Sequence, residues 1–104
     1  MSFKTILEKR GRPVKLIKVA RENKSGYIKK SEEEIWIFAL VFPLTSKELE
    51  FWLNAGVEKA KLKAYVEARI DVKTGDYIEI DGTRYLIRAY ENWSPYHKKL
   101  ILEA

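Results

Sequence analysis

The chain has 104 residues, of which 46% are apolar and 34% are charged. This length fits one small domain, because domains run about 100 to 200 residues and a second packed core would not fit. The absence of cysteine excludes a disulfide framework, a thiolate metal site and a cysteine nucleophile. A single histidine, His97, excludes a metal centre built from several histidines.

Positive charge is concentrated in the N-terminal third of the chain. The formal net charge is +5, but residues 1–30 carry ten Lys or Arg against two Glu, whereas residues 31–104 carry ten basic against thirteen acidic residues. Such a local field attracts phosphate or an acidic protein surface, and a solvated basic face is the alternative. The abundance of Lys and Glu, with no Gln and a single Met, is typical of heat-adapted proteins.

The sequence contains no segment typical of a membrane anchor or a secretion signal. Its most apolar run, residues 35–44, is half of the roughly 20 residues that a membrane-spanning helix needs. The first residues lack an apolar stretch and include Glu8. We therefore expect a protein of the cytoplasm or of a virion, with no membrane partner.

Two strands separated by a loop are predicted in the first half of the chain. Branched residues predict a strand at 14–21. The Asn, Ser and Gly content of residues 22–26 predicts a turn or loop, and residues 27–30 are compatible with the start of a strand before the charged residues 31–34. Residues 22–34 are expected to be the most mobile segment. Residues 35–42 predict a second strand that ends at Pro43. Because this strand is almost continuously apolar, we expect both of its faces to contact protein.

A capping pattern predicts one short helix at residues 45–56. Thr45 or Ser46 can accept hydrogen bonds from the first free amides of the helix, and Glu48 can complete a capping box with Thr45. Gly56 suits the left-handed conformation that commonly ends a helix.

The apolar residues of this helix predict how it packs. Leu49, Trp52 and Leu53 lie at i, i+3 and i+4, so they share one stripe. We expect this stripe to be buried against the sheet, while Lys47 and Glu50 face solvent.

The C-terminal half predicts a meander of strands. Asp81-Gly82 separates alternating segments at 77–80 and 83–90, and this dipeptide is a strong hairpin signal because both residues tolerate positive φ. A loop with two large aromatic residues is predicted at 91–97. Further strands are predicted at residues 61–70 and 98–102. The expected inward side of the hairpin consists of Ile78, Ile80, Tyr85 and Ile87.

These elements predict a mostly β fold. Five to seven short strands with one short α-helix indicate a small antiparallel β-barrel or sandwich, closed so that no sheet edge is exposed. We expect a single β-barrel-like domain at 1–104, in which a basic segment at 1–13 precedes a core at 14–104.

No arrangement of residues typical of catalysis is found. Asp71, Asp76 and Asp81 have the spacing of solvent-exposed hairpin ends and lack the pattern of a calcium loop. His97 has no acid or nucleophile spaced to serve it. Glycine motifs that bind phosphate or present a serine nucleophile are absent. We therefore expect no enzyme, no cofactor and no metal.

Basic and aromatic side chains are the candidates for binding. Lys and Arg give phosphate affinity without base readout, and amphipathic rings recur at protein-binding hot spots. We expect Trp36, Phe51 and Trp52 to belong to the core. The candidate interface or phosphate-contact residues are Lys9, Arg10, Arg12, Lys15, Lys18, Trp93 and Tyr96.

The order of these features resembles a known family. A basic strand, a glycine-containing loop, an apolar strand ending in proline, a short Thr-x-x-Glu helix ending in glycine and an alternating strand precede the motif Gly-Asp-x-Ile-x-x-Asp-Gly-x-x-Tyr-x-Ile at residues 75–87. Over residues 13–92 this order is similar to that of the head-tail joining (head-closure) proteins of tailed bacteriophages.

The resemblance implies a structural virion or provirus protein. Members of this family form a ring of copies between portal-like and tail-like neighbours, with a flexible loop near the DNA channel that residues 22–34 match by position. The alternative is a small SH3-like or OB-like barrel that binds nucleic acid non-specifically through its basic N-terminal third, and an enzyme is a third possibility. We expect the isolated protein to be a monomer or weak oligomer that contacts DNA only weakly.

Overall fold

Alternation of apolar and polar residues along six strands closes the sheet into an antiparallel barrel. The computed structural model describes residues 3–24 and 26–104. The elements are α1 (Phe3–Arg10), β1 (Arg12–Lys24), β2 (Tyr27–Pro43), α2 (Ser46–Asn54), β3 (Ala60–Glu67), β4 (Tyr77–Ile80), β5 (Thr83–Trp93) and β6 (His97–Glu103). The strands follow one another around the barrel in the order β1-β2-β3-β6-β5-β4. The predicted small antiparallel barrel is therefore confirmed.

The interior of the barrel is filled by aliphatic side chains from every strand. Because side chains of a strand alternate between its two faces, each strand contributes every second residue to the core. The core side chains include Val14, Leu16, Ile37, Ala39, Ala64, Val66, Ile78, Ile87, Leu100 and Leu102, all of which are buried.

The predicted hairpin joins β4 to β5. Ile80 pairs with Thr83 across the turn, and both turn residues have positive φ, 50° at Asp81 and 82° at Gly82. This is the conformation that a two-residue hairpin turn requires. Of the expected inward side chains, Ile78 and Ile87 are fully buried, Ile80 is buried and Tyr85 packs against the core.

Helix α2 has the predicted caps. The backbone N–H of Glu48 donates to the Thr45 hydroxyl oxygen, and the Thr45 N–H donates back to the Glu48 carboxylate, which completes the capping box. Gly56 follows the helix with a φ of 91°. The caps therefore fix both ends of α2, one to two residues inside the predicted range.

The predicted burial of the α2 stripe is wrong. Leu49 and Leu53 are 43% and 54% exposed, and Phe51, which we expected in the core, is 60% exposed. Trp52 is half-buried against a small cluster that includes Ile101. The reason is that α2 lies outside a barrel whose interior the strands already fill, so the helix touches the wall along one narrow line. Lys47 and Glu50 are exposed as predicted.

A second helix, α1, occupies most of the segment predicted as residues 1–13. It contacts β2 and β3, and Leu7 on its inner side is buried. The N–H of Gly11 donates to the carbonyl oxygen of Leu7, and a Cβ at Gly11 would overlap that oxygen. Glycine therefore allows the chain to turn directly from α1 into β1, which begins at Arg12 and not at the predicted residue 14.

The prediction of a loop at residues 22–34 is wrong for residues 22–24 and 27–34, which belong to strands, whereas the possible strand start at residues 27–30 agrees with β2. Residue 25 lies outside the described residues. β1 and β2 pair without interruption from Arg12 opposite Ala39 to Lys24 opposite Tyr27. We call residues 18–24 and 27–34 the arm. β4 pairs with β1 only at Lys15–Ile17, and β3 pairs with β2 only at Leu40–Pro43, so the arm extends beyond the closed barrel. The dimensions of the molecule, 50 × 32 × 27 Å, are consistent with this extension.

Two other predicted boundaries differ from the structure. The strand predicted at 61–70 ends at Glu67, although Ile70 still packs against the core. The loop predicted at 91–97 is reduced to the three residues 94–96, because β5 and β6 pair as far as Trp93 opposite His97.

Candidate interaction surface

The outer face of β2 carries large apolar side chains that the rest of the chain leaves exposed. Ile37 and Ala39 point into the core, so the alternate residues point outward. Trp36 is 68% exposed and Phe38 is 51% exposed, and Phe42 is also exposed. The chain itself therefore does not cover the outer face of this strand, so the expectation that Trp36 belongs to the core is wrong. Contact of this face with another protein stays a prediction.

A row of aromatic rings continues this surface across three neighbouring strands. Phe42 contacts Tyr65 at 6.1 Å between ring centroids, and Tyr65 contacts His97 at 5.5 Å. Trp93 is stacked on His97 at 6.2 Å, and Phe3 of α1 contacts the same imidazole at 5.2 Å. His97 therefore lies among rings, as a packing residue of the barrel surface.

The two aromatic candidate residues from the sequence differ in their contacts. Trp93 is half-exposed, and its indole N–H donates to the carboxylate of Glu91 at 3.2 Å. Tyr96, in the turn between β5 and β6, is 71% exposed. Trp93 thus extends the row of rings, and Tyr96 stands beside its end.

Helix α2 provides a second exposed apolar surface. Leu49, Phe51 and Leu53 are all exposed, and every residue of the helix retains some solvent exposure. An ionic contact fixes the helix to the barrel wall. The Glu48 carboxylate accepts hydrogen bonds from Lys63 of β3 at 2.7 Å and from Lys99 of β6 at 2.9 Å.

The environment of Glu48 changes its titration strongly. The hydrogen bond from Lys63 lowers the pKa of Glu48 to about 2, helped by Lys99 and opposed by burial. Burial alone would lower the pKa of Lys99, but the hydrogen bond to Glu48 and the electrostatic attraction of nearby acidic groups together outweigh burial and raise this pKa. Sequence reasoning identified Glu48 only as a helix cap, because the two lysines are 15 and 51 residues away.

Lys15, a predicted phosphate contact, is neutralised by carboxylates. Its ammonium lies 3.4 Å from Glu34 and 3.4 Å from Glu79, and 5.2 Å from the centre of the Trp36 ring. The hydrogen bond to Glu79 is the main cause of a raised pKa of Lys15. A phosphate would have to compete with both carboxylates for this cation.

Two other candidate cations are paired in the same way. The Lys18 ammonium donates to Asp71 at 2.8 Å, which raises the pKa of Lys18 and lowers that of Asp71. Arg12 forms an ion pair with Asp81 at the β4–β5 turn. Within the described ranges, only Lys9 and Arg10 of the predicted cluster have no ion pair, and both are exposed at the end of α1.

The three turn aspartates have different roles. Asp71 and Asp81 are exposed as predicted, but the expectation of an exposed position is wrong for Asp76, which is fully buried. Its carboxylate accepts backbone N–H bonds from Val19 at 3.0 Å and from Lys73 at 3.2 Å. In residues 3–24 and 26–104, no group of three or more acidic or histidine side chains is arranged to hold a metal ion.

The chain matches no model of a known protein family, and no curated protein matches its sequence. Among the described residues, neither helix has both the length and the apolar character that crossing a membrane requires.

Proposed function

We propose that this protein is a non-enzymatic structural subunit that binds other proteins through the outer face of β2, and that it serves in head-tail joining of a tailed virus or provirus. The observation that carries the proposal is the exposure of Trp36 and Phe38 side by side on one strand face. Contiguous exposed apolar side chains are typical of protein-binding surfaces, whereas scattered ones are ordinary.

The positions of the apolar surfaces suit a subunit with more than one neighbour. A subunit of a ring contacts the next copy through one surface and is contacted through a different one. The outer face of β2 and the exposed side of α2 lie on separate elements and provide two such surfaces. The closed barrel that carries both surfaces supplies a rigid support, because every strand contributes to its buried core.

Ion pairing weakens the case for the alternative, a nucleic-acid-binding barrel. Arg12, Lys15 and Lys18 each have a carboxylate partner, so their charges are already compensated within the chain. Lys9 and Arg10 are the described members of the cluster that can approach phosphate without breaking an ion pair. Two phosphate contacts give a shallow dependence of affinity on salt, with a log-log slope of about −2.

Gene order and co-purification test the proposal together. A joining protein should be encoded among portal, capsid and tail genes, and the products of its neighbouring genes supply the partners for the assay. We expect the tagged protein to retain one of these products. The double variant Trp36→Lys/Phe38→Lys should lose it, because two buried lysines are costly at an apolar interface.

A matched control separates loss of binding from a general effect of charge. Tyr90→Lys also places a lysine at an exposed ring, but on β5, and should leave retention unchanged. Equal retention by the β2 double variant would contradict the proposal. Tight, sequence-selective DNA binding at physiological salt would favour the nucleic-acid alternative, since a purely electrostatic contact has a dissociation constant of roughly 10⁻⁴ to 10⁻⁶ M.

A further inference from the structure

One edge of the arm is open to another strand. β3 pairs with β2 only at Leu40–Pro43, so among the described residues the preceding part of β2, from Tyr27 to Ala39, has a ladder partner on one side only, which is β1. The unpaired backbone groups of an edge strand are a template for pairing with a further chain. This edge has thirteen residues, enough for an added strand.

The opposite edge of the arm is blocked where it leaves the barrel. There the N–H of Val19 in β1 donates to the buried carboxylate of Asp76, and Lys18 beside it donates to Asp71. The β2 edge instead borders a cleft of about 310 Å³ between residues 35–38 and the segment Glu67–Ile70. An incoming strand therefore meets a side-chain cap on β1 where the arm leaves the barrel, whereas β2 has no ladder partner on its other side from Tyr27 to Glu34 among the described residues.

The sequence along the open edge is complementary to itself. Residues 27–35 read Tyr-Ile-Lys-Lys-Ser-Glu-Glu-Glu-Ile. In an antiparallel pair of two such strands related by a two-fold axis at Ser31, position 30 lies opposite 32 and position 29 lies opposite 33. Each lysine position then faces a glutamate position, and opposite charges directly across an antiparallel pair are stabilising.

Shifting the two-fold axis by one residue in either direction places like charges opposite each other. A two-fold axis at position 30 places Lys30 opposite Lys30, and an axis at position 32 places Glu32 opposite Glu32. Like charges directly opposite each other are destabilising. The charge order therefore selects both the partner, which must carry the same sequence, and the register.

We infer that two copies of this chain associate through antiparallel pairing of the free β2 edges, centred on Ser31. The contact is isologous, since the same residues contribute from both copies. The exposed ion pair of Glu32 with Arg84, at 3.0 Å, does not prevent it, because a carboxylate accepts more than one donor. In this register Tyr27 of each copy lies opposite Ile35 of the other. The inference goes beyond the proposed function and does not depend on it.

Sedimentation equilibrium of charge-exchanged variants tests this pairing. We expect wild-type protein to form a weak dimer with a dissociation constant on the order of 10⁻⁴ M, because exposed ion pairs contribute little free energy and association itself is costly. Lys29→Glu/Lys30→Glu and Glu32→Lys/Glu33→Lys should each be monomeric, because each places like charges opposite one another. An equimolar mixture of the two variants should recover the dimer, since all four cross-strand positions are again complementary.

Controls keep the result specific to the β2 edge. Lys59→Glu/Lys61→Glu makes the same charge change at exposed positions of the barrel and should dimerise as the wild type does. Circular dichroism should show that every variant retains its strands. Three results would each overturn the inference. The wild type is monomeric at millimolar concentration, or one of the two charge-exchanged double variants dimerises on its own, or their equimolar mixture stays monomeric.

Discussion

The barrel and the arm are parts of the same two strands, but they are held in different ways. In the barrel, β1 lies between β2 and β4, and its Val14 and Leu16 are buried in the core. In the arm, β1 and β2 have only each other as ladder partners among the described residues. Within a few residues, the same two strands thus change from part of the closed barrel, with core side chains, to a charged two-stranded hairpin.

This difference indicates where stability and binding are located. The barrel derives its stability from a contiguous apolar core, whereas an isolated two-stranded hairpin is at best marginally stable in water. The arm consequently depends on the barrel for its conformation and contributes little to the barrel in return. Its backbone edge and the exposed rings beside it remain available to partners.

The largest effect should come from a cavity in the barrel. Leu100 is fully buried in the main core, and truncating a buried leucine costs about 2–5 kcal/mol through lost transfer energy and the cavity left behind. Leu100→Ala should lower the free energy of unfolding by that amount in urea denaturation. Glu33→Ala, on the exposed arm, should change it by less than about 0.5 kcal/mol. Equal effects would show that arm and barrel do not differ as described.

A smaller effect is expected where the arm joins the barrel. Asp76→Ala leaves the N–H groups of Val19 and Lys73 without their carboxylate acceptor. The expected loss is about 1–3 kcal/mol, because an unsatisfied buried donor keeps its desolvation cost. Hydrogen exchange should show the Val19 amide opening more often. Asp76→Asn, which retains one carbonyl acceptor, should recover part of the protection. An unchanged exchange rate of the Val19 amide in Asp76→Ala would show that Asp76 does not stabilise this part of the arm.

The smallest effect concerns the attachment of α2 to the barrel wall and should depend on pH. The pKa of Glu48 is lowered from 4.5 to about 2, so its contribution to stability is present above pH 4.5 and is lost as the pH falls towards 2. Glu48→Gln should reduce the free energy of unfolding at pH 7 by about 1–2 kcal/mol and should flatten its decline in this interval. A variant that keeps the wild-type pH profile would show that another carboxylate dominates acid unfolding.

The parts of the fold that local sequence determines were predictable. The Asp81-Gly82 turn requires two residues that tolerate positive φ, and the α2 capping box lies within four residues. The arm was predictable only in part: residues 18–21 belong to the predicted first strand and residues 27–30 to a possible strand start, but the charged residues 31–34 favour a loop when considered alone. They become a strand through pairing across the hairpin, as with Lys18 opposite Glu33.

The candidate site was predictable in residue type but not in environment. The sequence identifies Lys15 and Lys18 as cations, but their partners Glu79 and Asp71 lie more than 50 residues away and meet them only after the barrel closes. Trp36 was expected in the core because an apolar run indicates burial on both faces. A closed barrel has one interior, so the alternate residues of that run remain outside.

Side-chain footprinting by hydroxyl radicals tests the central claim, protein binding through the outer face of β2, most directly. The protein would be oxidised alone and in complex with the product of a neighbouring portal or tail gene. We expect the oxidation of Trp36 and Phe38 to fall severalfold in the complex, because both rings are exposed in the isolated chain, while Tyr90 on β5 keeps its rate. Unchanged oxidation of Trp36 and Phe38 in a complex that has formed would contradict the claim.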